Sequence, residues 1–152
     1  MSRRSPSTLE AHLGYWLRRV SNGVSGAFVR ALQSEQVSVA EWVALRLLLG
    51  ETQRSPGDLA ALTGMTRGAV SKVVDKLEAK ALVTRTDNPE DSRAQWLSLT
   101  REGRRLVPKL AALADRNDAD FFGCLTKSEK AELRRLLEKV ADAHRLRAVP
   151  VD

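Results

Sequence analysis

Between residues 55 and 100 the start and stop signals crowd too closely for anything but two short helices, and two alternating runs follow at once. Ser55, Pro56 and Asp58 stand at the N-cap, first and third positions of a helix, where a hydroxyl acceptor, a residue lacking an N–H and a carboxylate are each favoured. Leu59, Ala60 and Leu62 face inward, Gly64 can take the left-handed conformation that stops the helix, and Thr66 caps a new one. So short a turn forces the two helices to cross. In the second helix Val70, Val73, Val74 and Leu77 fall at i, i+3, i+4 and i+7 and commit one face to a core. The opposite face carries Gly68, Ser71, Lys72, Asp75 and Ala79, with Lys76 on its flank and Thr66 and Arg67 in the exposed first turn. Residues 82–86 and 95–99 alternate as strands do, and 87–93 between them is all turn and charge, so a β-hairpin with a projecting tip is expected.

The flanking sequence is helical. Leu9, Leu13, Trp16, Leu17, Val20, Val24, Ala27, Phe28 and Leu32 mark one stripe of a long first helix, interrupted by the weak helix formers of 21–26, where packing must hold it or it breaks. Ser38 and Glu41 have capping-box spacing, Val37 and Trp42 occupy the positions of a hydrophobic staple, and Gly50 supplies a stop. After the hairpin, Thr100 caps a helix running through Leu106, Val107, Leu110, Leu113 and Phe121, which Pro108 is expected to bend. A last helix opens at a Thr126–Glu129 capping box and is expected to bury Leu133, Leu136, Leu137 and Val140 before the tail, 141–152, frays. The fold class is therefore mainly α with a small β-hairpin wing, a winged helix-turn-helix flanked by long N- and C-terminal helices.

A helix face of Ser, Thr, Gly, Lys and Arg suits the ~12 Å major groove of duplex DNA, because short side chains permit close approach and long basic ones reach guanine edges or phosphates. The net charge of +6, from 25 Lys and Arg against 19 Asp and Glu, favours a polyanionic partner. The expected DNA contacts are Thr66, Arg67, Gly68, Ser71, Lys72 and Lys76. Arg93 at the wing tip is placed for a narrow minor groove, with Asp91 orienting its guanidinium. Ser55 is a structural cap first, with a phosphate at that helix N-terminus as a second use. Each has a plainer alternative: helix faces in water are usually charged, Gly68 need be no more than a first-turn residue, and Arg93 without DNA is an ordinary surface arginine.

The run 55–103, with its Asp91-Ser92-Arg93 wing and the Leu97-Ser98-Leu99-Thr100-Arg101-Glu102-Gly103 segment, resembles the MarR family of bacterial transcriptional regulators. The resemblance covers nearly the whole chain. It implies one domain, 1–152, with dimerisation helices at 9–33 and 101–147 around a DNA-binding lobe at 38–100. It implies a homodimer whose recognition helices read two halves of a palindrome, with the Arg93 position in the minor groove, and a repressor as the expected role. One departure is Ala81, where that family usually has glycine; a left-handed alanine costs roughly 1 kcal/mol or more. Independently of the resemblance, the apolar stripes of the first and last helices lie outside a minimal winged-helix core, and a second copy would cover them.

Proteins similar to this one often bind small aromatic or phenolic acids in a crevice between the dimerisation helices and the DNA-binding lobe. The candidates here, by composition alone, are His12, Trp16, Trp42 and Arg46. Against these stand an inward stripe for Trp16, a staple for Trp42, a surface position for His12 and a carboxylate partner for Arg46. Cys124, the single cysteine, excludes an internal disulfide, fits a reducing compartment such as the cytoplasm, and is expected beside Phe121 and Phe122 as a small buried hydrophobe. The alternatives are a redox-responsive regulator using Cys124, or a winged-helix module that binds protein. No enzyme is expected: His12 and His144 are the only imidazoles, and there is no phosphate-cradling loop and no metal-ligand spacing. No cofactor is implied, and no segment approaches a membrane span or a signal peptide.

Overall fold

A computed structural model describes residues 5–50 and 53–152. A short 3-10 turn, Leu9–Ala11, leads into α1 (Leu13–Gln33), α2 (Val39–Leu48), α3 (Pro56–Thr63), α4 (Arg67–Ala79), the strands β1 (Val83–Asn88) and β2 (Asp91–Leu99), then α5 (Arg101–Phe122) and α6 (Lys127–Ala143). No helix among the described residues is long and apolar enough to cross a membrane.

The helix ends follow the side-chain signals. Capping boxes close in both directions at Ser38–Glu41, Ser55–Asp58 and Thr126–Glu129, and the Thr66 and Thr100 hydroxyls each accept one first-turn N–H. Gly64 takes φ +72 at the end of α3. Ala81 takes the left-handed conformation that glycine would favour, at φ +57, and its N–H and that of Leu82 bond back to Glu78 O and Leu77 O. The helix end thus keeps the glycine-type geometry and carries the strain instead. Gln36 after α1 and Arg145 after α6 close their helices in the same way, at φ 57 and 55.

α1 is continuous through Gly23 and Gly26 because α5 packs there: Phe121 lies so close to Gly23 that a Cβ would come within 3.2 Å of its ring, and Asn117 Nδ2 donates to Val24 O at 3.1 Å. α5 is likewise unbroken through Pro108. The core lies in the lobe between α2 and the start of α5, where Leu45, Leu59, Val70, Leu77, Leu97 and Leu110 are almost wholly excluded from solvent. Gly103 seats α5 against it, since a Cβ there would stand 2.2 Å from Leu82 O. This contact gives the Leu-Thr-x-x-Gly spacing its physical reason.

Three expectations fail. Leu136, Leu137 and Val140 are exposed, at 45, 45 and 55%, and Leu133 is only half-buried, because no described element of the same chain covers that face of α6. The first stripe is bare over its N-terminal half as well, from Leu9 and Leu13 to Trp16, Leu17 and Val20, so Trp16 does not point inward within one chain. The tail does not fray freely: Val149 N donates to Leu62 O at 2.9 Å, which brings it back onto α3.

Candidate nucleic-acid interface

Every hydrophilic position of α4 that the sequence places outward is exposed: Arg67, Gly68, Ser71, Lys72, Asp75 and Lys76, with Thr66 before them. Val70, Val74 and Leu77 hold the opposite face in the core. Arg67, Lys72 and Lys76 form no ion pair with a described residue, so their charges are available to an outside partner. Around Gly68 a Cβ would meet open space, so the protein's own packing does not demand glycine there.

The hairpin is longer and its turn tighter than the composition of 87–93 indicated. Only Pro89 and Glu90 lie between the strands, with Glu90 N donating to Asn88 Oδ1 at 2.9 Å. Asp87 pairs with Gln95 but Asn88 pairs with Asp91, which leaves Ser92, Arg93 and Ala94 without partners opposite them. Such a bulge re-aims side chains, and Arg93 sits in the middle of it, exposed. Asp91 sets this geometry by a different route from the one expected: its Oδ1 accepts the backbone N–H of Arg93 at 3.0 Å rather than holding the guanidinium.

The wing is braced at two points that the sequence did not announce. Arg54 exchanges backbone hydrogen bonds with Leu97, at 3.3 and 2.7 Å, adding a one-residue strand, and its Nε donates to Leu47 O at 2.8 Å. Arg85 on β1 reaches across to α4, with Nη2 2.6 Å from Asp75 Oδ1 and Nη1 on Glu78 Oε2. The hydrogen bond to Asp75 foremost, together with the neighbouring Glu78 charge, outweighs burial and raises the guanidinium pKa further. These bonds tie β1 of the wing to the outer side of α4. The acidic pair at i and i+3 on α4 was the available signal.

At Ser55 the structure favours the cap over a phosphate. The Ser55 hydroxyl accepts from Asp58 N at 3.1 Å, and Asp58 Oδ2 takes Ser55 N–H at 2.7 Å. That backbone hydrogen bond, with one from the Ser55 side chain, lowers the Asp58 pKa. The helix N-terminus already holds an anion of its own.

The four effector candidates do not converge within one chain. Trp42 is half-buried and packs edge-on against Phe28, with ring centroids 6.4 Å apart. Trp16 lies twelve residues before Phe28 on α1, roughly 18 Å along the axis, with its Nε1 donating to Glu10 O at 2.9 Å and Arg19 over its ring. His12 is exposed at the N-cap of α1, against Ser7 Oγ and Leu9 O. Arg46 is exposed on α2 and pairs with no carboxylate among the described residues. Cys124 is exposed rather than buried, its Sγ 3.7 Å from Phe121 O, because the Phe121 ring turns to Gly23.

A tight helical pair that bares a small, basic face on its second member, tied by Arg85 to a hairpin with an arginine in its bulge, defines a winged helix-turn-helix protein. A MarR family model matches residues 35–94. The chain is 31% identical over 131 residues to the HTH-type transcriptional repressor Rv2887 of Mycobacterium tuberculosis, spanning 86% of this chain and 94% of that one. BpsR of Bordetella bronchiseptica, whose DNA binding is regulated by 6-hydroxynicotinic acid, superposes with a TM-score of 0.80 at 26% identity over 91% of this chain and 99% of that one. A mutant of E. coli MarR complexed with operator DNA gives 0.78 at 25% identity, over 90% and 99%. This chain belongs to the MarR family of transcriptional regulators.

Proposed function

We propose that the protein works as a homodimeric repressor in the cytoplasm, lays α4 of each protomer in successive major grooves of a pseudo-palindromic duplex, and sets Arg93 in the flanking minor groove. The observation that carries this reading is the wholly exposed face of α4, with Arg67, Lys72 and Lys76 free of internal ion pairs among the described residues. The bare apolar faces of α1 and α6 support a second copy as the cover, and a two-fold pair would place the recognition helices about 34 Å apart. The likeness to BpsR supports release by a small aromatic acid, for which Trp42 and Arg46 on α2 and His12 and Trp16 on α1 remain the candidates. A regulator rather than an enzyme is the reading that the family supports.

Selection of bound sequences from a random duplex library tests it. Recovery of two half-sites about one helical turn apart, bound at nanomolar concentration and released by 6-hydroxynicotinic acid or a related aromatic acid, is the expected result. Equal, weak binding to every duplex would contradict the sequence-specific reading, and release by no aromatic acid would contradict the effector.

A further inference from the structure

Three helix ends meet at one corner of the lobe: the C-terminus of α1, the N-terminus of α2 and the C-terminus of α4. Lys80, the C-cap of α4, joins them. Its Nζ donates to Gln36 O at 2.5 Å and to Glu41 Oε1 at 2.8 Å. Gln36 is the left-handed residue that closes α1, and Glu41 is the capping-box acid of α2, whose other oxygen takes Ser38 N–H at 2.7 Å. The Glu41 side chain is only 4% exposed, while that of Lys80 keeps 37%. The negative dipole ends of α1 and α4 meet the positive end of α2 here, and the Glu41 carboxylate that caps α2 tips the balance toward an ammonium.

A phosphate contact needs an uncommitted cation. Lys80 is committed to two internal acceptors, unlike Lys72 and Lys76 on the outer face, yet it belongs to the helix that meets the duplex. We propose that Lys80 is a positioning residue for DNA binding: its ammonium pins the recognition helix to the corner between α1 and α2, so that the angle of α4 follows the long helix α1. The inference rests on the DNA-binding reading and adds the link by which a change at α1 reaches the bases. Removal of the link leaves the outer basic face intact and loosens only its aim. Aim matters for a base-reading complex and hardly at all for non-specific attraction to phosphates.

The test compares the wild type, Lys80→Met, Glu41→Gln and the double variant in fluorescence anisotropy on the selected duplex and on a scrambled one, over a range of salt. Lys80→Met and Glu41→Gln should each weaken specific binding about five- to tenfold, leave the scrambled duplex within about twofold, and leave the salt slope unchanged; the double variant should be no worse than the weaker single. Lys80→Arg should recover most of the loss. Should Lys80→Met fail to fold, Glu41→Gln, which keeps the Ser38 hydrogen bond, and Lys80→Arg carry the same comparison. A salt slope reduced by about one unit in Lys80→Met would make Lys80 a phosphate contact and overturn the proposal, as would unchanged specific affinity or strictly additive losses. A wild type that distinguishes no duplex overturns the DNA reading itself, and this role for Lys80 with it.

Discussion

The lobe built from α2 to β2, and the outer stretch formed by the N-terminal half of α1 with α6, carry the same kind of amphipathic pattern, and the protein treats them oppositely. In the lobe, Leu59, Val70, Leu77 and Leu97 are at most 1% exposed, and no buried side-chain polar atom among the described residues lacks a hydrogen bond. On the outer helices, Leu13 is 88% and Val140 55% exposed. Burying a wholly exposed side chain of this kind is worth roughly 1.5–3 kcal/mol, and these positions have that gain still open in proportion to their exposure. Periodicity thus reports that a stripe exists, not which molecule covers it. The lobe covers its own stripes; the outer helices leave theirs bare.

The contrast can be broken at several points. Gly103→Ala drives a Cβ into Leu82 O and should cost more than about 3 kcal/mol in urea unfolding, with the loss independent of any partner; a cost under about 1 kcal/mol would show that the α5 seat is soft. Leu137→Glu with Val20→Glu should convert a dimer to a monomer in light scattering while the helical circular dichroism of the lobe persists, and should weaken palindrome binding about a hundredfold through lost avidity. A dimer that survives both changes would place the partner surface elsewhere. Arg93→Ala should weaken specific binding about tenfold without changing stability, since its side chain lies outside the core.

A smaller effect follows from acid. Burial raises the Glu41 pKa, but hydrogen bonds from Lys80 and from Ser38 more than offset it, so the carboxyl titrates below its ordinary value of 4.5. Its contribution to stability is therefore complete above about pH 4.5 and lost as pH falls through the lower, folded value. Glu41→Gln should flatten the acid limb of an unfolding curve measured against pH, and an unchanged limb would remove Glu41 from the set of stabilising acids. The smallest expected effect is a gain: Ala81→Gly, at φ +57, should raise stability by about 0.5–1 kcal/mol in thermal melts. A loss there would mean that the methyl group packs better than its strain costs.

Local chemistry was legible wherever one residue type has one job. The caps at Ser38, Ser55, Thr66, Thr100 and Thr126, the left-handed Gly64 and the inward stripe of α4 all stand where the sequence places them. The outward positions of α4 were readable for the same reason, because helical spacing fixes a face once Val70, Val74 and Leu77 are buried. What escaped depends on residues distant along the chain. The Lys80 link spans 39 residues to Glu41 and 44 to Gln36, the Arg54 bridge to Leu97 needs a neighbour that local pattern does not name, and the return of Val149 to Leu62 spans everything from α3 to the tail. The wing misled in the other direction: turn-forming composition in 87–93 concealed that Asp91 and Arg93 lie on β2, where a bulge rather than a loop gives Arg93 its exposure.

The most direct test of the exposed α4 face is the slope of log affinity against log salt for the selected duplex, measured for the wild type and for Lys72→Ala. A steep wild-type slope that becomes shallower by about one unit in the variant is the predicted result. A slope near zero, or one that Lys72→Ala leaves untouched along with the affinity, would contradict the assignment of that face to DNA.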